Sequence, residues 1–187
     1  MNVPLRDPFL FQTNRLLVRL LKASDLPDFH DMQGNEAVMC YVGGKANTWE
    51  EDEKELQRLI QLYDQVGNTF WVWAIDTIED AAFIGTCAII VNQDGAYEIG
   101  FRFREQYWGK GYGLETAQGL LAFAFSKLEL DHLVAYVDER NRGSVKILDR
   151  CLPYIRTFYN EQEGCTDRAY RLEREQWEQR FQAEADK

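Results

Sequence analysis

The run Trp108-Gly109-Lys110-Gly111-Tyr112-Gly113 stands between two segments of different periodicity. Before it, Tyr97 to Phe103 has the composition of a β-strand. After it, Leu114, Ala117, Leu121, Ala124 and Leu128 recur on one face of a long helix. Glycines at this junction let the main chain turn tightly and aim several N–H groups at one point, where the helix N-terminus adds partial positive charge. Such a cradle suits a phosphate or pyrophosphate. Two nucleotide motifs fail to match it. A dinucleotide fingerprint starting at Gly109 needs glycine or alanine at position 114, which is Leu114. A Walker loop needs Gly-Lys-Ser/Thr, but Gly109-Lys110 is followed by Gly111, and Arg104 stands where the first glycine belongs.

Working outward, the chain reads as a mixed α/β layout. Arg15 to Leu21 predicts a strand, and Ser24 a cap for a helix through Gln33 with Pro27 in its first turn. Thr48-Trp49-Glu50-Glu51 fits a capping box, followed by Leu56, Leu59, Ile60 and Tyr63 at helical spacing up to Gly67. Strands are predicted at Thr69–Ile75, Ala82–Val91 and Tyr97–Phe103, the last pair joined by a hairpin turn at Asn92–Gly95. Beyond the long helix come a strand at Leu133–Val137, a short helix at Ser144–Arg150, closing strands at Pro153–Tyr159 and Thr166–Leu172, and a terminal helix over Glu173–Ala185.

With 187 residues the chain fits a single domain. Its 45% hydrophobic and 28% charged residues argue for a packed globular protein rather than a disordered one. The net charge of −10 disfavours nucleic acid as a partner and favours a cationic substrate. No run of about 18 apolar residues occurs, so no membrane partner is expected. No signal-peptide pattern opens the chain, which makes the cytoplasm the expected location. Cys40, Cys87, Cys151 and Cys165 show no metal-ligand spacing, so no metal is expected.

The glycine run resembles the pyrophosphate loop of the Gcn5-related N-acetyltransferases (GNAT), Arg/Gln-x-x-Gly-x-Gly/Ala, with Gly111 and Gly113 matching and Trp108 in place of the leading residue. The order of further motifs is similar to the RimJ/RimL-like branch. Thr13-Asn14-Arg15-Leu16, Arg19 and Ser24-Asp25-Leu26 resemble its opening; Glu98-Ile99-Gly100-Phe101 its fourth strand; Asn141-x-x-Ser144 its fourth-helix entry; Asp167-x-x-Tyr170-x-Leu172 with Trp177 its close. The usual Leu-Gly-Phe is replaced by Cys151-Leu152-Pro153-Tyr154. The resemblance implies a GNAT fold: a mixed, mostly antiparallel sheet of six to seven strands flanked by helices, splayed with a bulge between its fourth and fifth strands. The domain would span 1–187, with a core at 13–172 and a C-terminal helix and tail at 173–187.

The resemblance also implies acetyl-CoA as cosubstrate and transfer of its acetyl group to a primary amine by direct attack in a ternary complex. Glu98 is the candidate base, because an alkylamine with a pKa near 10.4 must lose a proton before attack. Ser144 is the candidate donor to the leaving thiolate, since Leu148 occupies the place where many relatives carry a tyrosine acid. Phe101, Arg102 and Phe103 would meet the cofactor through main-chain groups, together with Trp108, Gly109, Lys110, Gly111, Tyr112, Gly113, Asn141 and Ser144. Trp49, Trp71 and Trp73 are candidates for the acceptor pocket or the core. Asp25, Asp28, Asp31, Glu50, Glu51 and Asp52 are candidate acidic walls or solvated helix faces, and His30 and His132 stay unassigned. The acceptor could be a protein N-terminus, a polyamine, an aminoglycoside or an amino acid, acted on by a monomer or homodimer. A non-catalytic CoA-binding sensor on the same fold is the alternative.

Overall fold

The structure, a computed structural model, describes residues 9–185. Residues 1–8, on which the reading of the N-terminus partly rests, lie outside that range, as do 186–187. One eight-stranded sheet runs through the described residues: β1 (Phe9–Gln12), β2 (Leu16–Arg19), β3 (Phe70–Thr77), β4 (Phe83–Val91), β5 (Tyr97–Phe103), β6 (His132–Asp138), β7 (Tyr154–Asn160) and β8 (Cys165–Glu173). Their spatial order is β1-β2-β3-β4-β5-β6-β8-β7, and every neighbouring pair is antiparallel except β5–β6. The helices are α1 (Leu26–Gln33), α2 (Glu36–Met39), α3 (Trp49–Leu62), α4 (Tyr112–Ser126), α5 (Arg142–Cys151) and α6 (Arg174–Ala185).

The sequence pattern accounts for seven of the strands. The eighth, β1, is four residues long and borders β2 with an irregular register between Phe9 and Phe11. Its Phe11 ring lies 5.3 Å from that of Phe123 on α4, so tertiary packing holds a segment too short to show alternation. The single turn α2 escaped for the same reason. Two caps contrast. Thr48 and Glu51 form the expected box, each side chain bonding the other's main-chain N–H. Ser24 is not the cap of α1: a 3-10 turn over Ala23–Asp25 precedes that helix, and Asp25 takes the cap position. The Asp25 carboxylate already accepts from the Lys22 N–H and from Arg19, which fixes the turn one residue later.

Each sheet face carries its own apolar cluster. On one side α4 packs Ala117, Leu120, Leu121 and Ala124 over Trp71, Trp73, Ile75, Ile84 and Ile99. On the other, Phe29 and Met32 of α1 and Leu56 and Leu59 of α3 cover Ala74 and Phe83. Fully burying one such side chain contributes about 1.5–3 kcal/mol.

The feature that positions the site is the β5–β6 junction. A single bridge joins Glu98 to Val134, after which the two strands part. β5 keeps unbroken register with β4 from Tyr97 opposite Val91 to Phe103 opposite Gly85. The bulge expected in β5 is therefore absent, and the opening comes from β6 diverging.

Candidate active site

The glycine run forms the turn into α4. Gly109 and Gly111 have φ of +73° and +82°, and Gly111 caps the helix in the left-handed region that side chains rarely adopt. Among the described residues the N–H groups of 109 to 114 bond no protein acceptor, so the loop presents a set of free donors at a helix N-terminus. Gly113 has a different reason to be small: a Cβ there would come within 2.6 Å of Ile147 Cδ1, so this glycine lets α4 approach α5.

Two residues strap the loop in place. The Trp108 indole donates to the Phe103 carbonyl at 2.9 Å, tying the loop to the end of β5. Arg15 reaches from the start of β2 to the Lys110 carbonyl (3.0 Å) and the Glu115 carboxylate (2.7 Å), and stacks over Tyr112. Glu115 also accepts from Thr13 Oγ1 and the Arg15 N–H, and these bonds hold its carboxyl below the usual range against the cost of burial. In the sequence, Thr13 and Arg15 stand out only as letters of the opening motif. Their partner lies about 100 residues away, and no local spacing announces it. Lys110 Nζ sits over the Tyr107 ring.

In the gap, the geometry separates the three β5 residues. The Arg104 N–H donates to the Ile84 carbonyl. Alternation then commits the main chain of Arg102 to β4, while the N–H groups of Phe101 and Phe103 face the opening. Arg102 thus differs from its neighbours: its side chain points to the α1–α3 face, where Nη1 bonds Gln33 Oε1 and Met39 Sδ.

Glu98 and Ser144 line one cleft of about 940 Å³. Half-buried Glu98 accepts from Asn92 Nδ2 at 3.3 Å. Burial raises its carboxyl pKa and the charge of Asp167 adds to this, while the Asn92 bond opposes it. Across the opening, α5 is capped by Asn141, whose Oδ1 accepts the Ser144 N–H at 3.1 Å. Ser144 is therefore not the cap, and among the described residues its hydroxyl has no partner. Leu148 is buried below it.

Residues 15–151 match the family described as Acetyltransferase (GNAT) domain. The chain belongs to the GNAT acetyltransferases. It is 28% identical over 144 residues to the uncharacterized N-acetyltransferase p20 of Bacillus licheniformis, spanning 73% of this chain and 78% of that one. An acetyltransferase structure from Agrobacterium tumefaciens superposes with a TM-score of 0.73 at 25% identity, covering 92% of this chain and 98% of the other. An acetyltransferase structure from Salmonella typhimurium, whose enzyme modifies the N-terminal serine of ribosomal protein L7/L12, shares the fold with a TM-score of 0.74 at 15% identity, covering 88% and 98%. GNAT enzymes use acetyl-CoA, and this chain is an acetyl-CoA-dependent acetyltransferase.

The residues named as candidates for the acceptor side depart from their sequence reading. Trp71 and Trp73 belong to the core, and half-exposed Trp49 packs edge-on against His30; none lines the cleft. Nor do the six candidate acids form a wall. Asp25 pairs with Arg19, Asp28 and Asp31 with Arg104, Glu51 caps α3, and Glu50 is exposed on that helix away from the cleft lining. Asp52 is fully buried and accepts from Gln33 and Asn47 while pairing with His30 at 2.6 Å. An internal partner discharges the need that surface water was expected to meet. His30 thereby gains a partner 22 positions away that sequence spacing does not reveal.

Two of the cysteines that line the cleft, Cys87 and Cys165, are held as thiols. Cys165 donates to Asp167, and burial with that carboxylate pushes its pKa to about 11; burial raises Cys87 further. Among the described residues no group of three or more His, Cys, Asp or Glu is placed to hold a metal ion, and no helix is long and apolar enough to cross a membrane.

Proposed function

We propose that this GNAT domain transfers the acetyl group of acetyl-CoA to a primary amine by direct attack in a ternary complex, within the core expected at 13–172. The observation that carries this reading is the β5–β6 opening, with the free donors of the glycine loop near one end and Glu98 and Ser144 on its two sides. The pyrophosphate takes the N–H groups of 109–113, and the Phe101 N–H polarises the thioester carbonyl. Glu98, made more basic by burial, accepts the amine's proton directly or through a water. The amine nitrogen attacks the carbonyl carbon, the C–S bond breaks, and Ser144 Oγ–H bonds the departing sulfur. The raised thiol pKa values of Cys87, Cys151 and Cys165 support direct attack over an acetyl-enzyme.

The protein N-terminus modified by the Salmonella neighbour is one acceptor class, and small amines are the other. Release of CoA thiol during incubation with acetyl-CoA and a panel of amines and N-terminal peptides tests the reading. Amine-dependent release is expected. Binding of acetyl-CoA with no release on any amine would favour the non-catalytic alternative.

A further inference from the structure

Glu98, Gly100 and Arg102 alternate onto the same face of β5, and all three line the cleft. Arg102 is unusual for a largely buried guanidinium. Its Nη1 is taken by Gln33 and Met39, yet among the described residues no carboxylate lies within ion-pair distance. Its Nε and Nη2 have no acceptor and are not sealed from solvent, so they remain reachable from the cleft. Arg19 shows what a satisfied guanidinium looks like in this molecule: three nitrogens share the carboxylates of Asp25 and Asp76. Removing much of the water from an arginine without supplying an anion is costly, and burial lowers the Arg102 pKa accordingly, with only the more distant charges of Asp52 and Glu55 opposing it. A carboxylate arriving there would recover that cost through charge-assisted hydrogen bonds.

The space for such a group is present. A Cβ at Gly100 would meet nothing within 4 Å, so the strand between Glu98 and Arg102 is open to a ligand. Charges of both signs line the cleft, Glu55 and Arg102 as well as Glu98, Asp167, Arg140 and Arg156, and Arg140 is already paired with Asp138. A ligand carrying both charges therefore finds a partner for each.

We propose that Arg102 is the anion-recognising residue of the acceptor site, and that the acceptor is a primary amine which also bears a carboxylate, lying across Gly100 with its amine toward Glu98. The inference rests on the acetyl-transfer reading. It restricts the acceptor to amino-acid-like or peptide-like compounds with a free carboxylate and disfavours polyamines. The Cα atoms of residues 98 and 102 are about 13 Å apart along a strand, which sets the scale of the span to be bridged.

The test uses the full chain saturated with CoA and matched probes: the ω-amino acids from glycine to 6-aminohexanoate, each against its carboxamide. Calorimetric binding and, with acetyl-CoA, initial rates are read for both members. The expected result is a preference of about tenfold or more for the best carboxylate over its amide. In Arg102→Gln the ratio should fall to about one, and Arg102→Lys should retain part of it. Equal binding of acid and amide by the unaltered protein, or a ratio unchanged in Arg102→Gln, overturns the proposal. Carboxylate-selective binding without turnover of any amine would instead overturn the acetyl-transfer reading and leave Arg102's role standing.

Discussion

The two parts of the proposed site are built from different materials. At the glycine loop, the groups offered to a ligand are main-chain N–H donors, held by positive-φ glycines and strapped by Trp108 and Arg15. On the proposed acceptor side, the groups are the side chains that line the cleft, and their chemistry depends on which neighbours they meet. A main-chain site is specified by a few consecutive letters. A side-chain site is specified by pairings such as Arg102 with Gln33, which the fold makes and the sequence does not announce.

This contrast is open to direct attack. Gly111→Asp puts a side chain and a negative charge into the left-handed cap of α4, and is expected to abolish acetyl-CoA binding in a folded protein. A folded variant with unchanged affinity would remove the loop from the site. On the acceptor side, Glu98→Gln is expected to lower kcat about 10²–10⁴-fold while leaving acetyl-CoA affinity within a factor of about two. Loss of both together would mean that the two parts are not separable.

The fold was legible wherever periodicity ran long enough. The α4 stripe, the β4–β5 hairpin and the Thr48 box are all found where the letters place them. β1 and α2 were not, because four residues carry too little period against the packing that holds them. Of the candidate site, the letters named the glycine turn and also Glu98, Asn141 and Ser144, which line one cleft. The vacant donors of Arg102, the strap through Arg15 and the internal use of Asp25, Asp28, Asp31 and Asp52 were not legible, since each depends on partners remote in the chain.

Smaller effects sharpen the comparison. Because Asn141 rather than Ser144 caps α5, Ser144→Ala should slow CoA release about tenfold with an unchanged Tm, whereas Asn141→Ala should cost about 0.5–2 kcal/mol of stability. A Tm loss in Ser144→Ala with normal rate would reverse the assignment. Arg15→Met should raise KM for acetyl-CoA a few-fold at constant kcat, since it loosens the loop without touching the acceptor side.

The smallest expected effect is thermodynamic. Glu98 has a folded-state pKa raised above its ordinary value, so its contribution to stability is fully present below about pH 4 and is lost as pH rises through the raised value. Glu98→Gln should therefore melt slightly higher than the unaltered protein at neutral pH and no higher at about pH 4. Thermal scans at the two pH values check this, and a lower Tm at neutral pH would contradict the burial argument.

The central claim is that acetyl-CoA and the amine occupy the two parts of the site at once. A grid of initial rates, with acetyl-CoA and the preferred amine both varied, tests it most directly. The account predicts double-reciprocal lines that intersect, with no acetylated cysteine in the intact mass of the enzyme mixed with acetyl-CoA alone. Parallel lines accompanied by a protein mass increased by one acetyl group would contradict it.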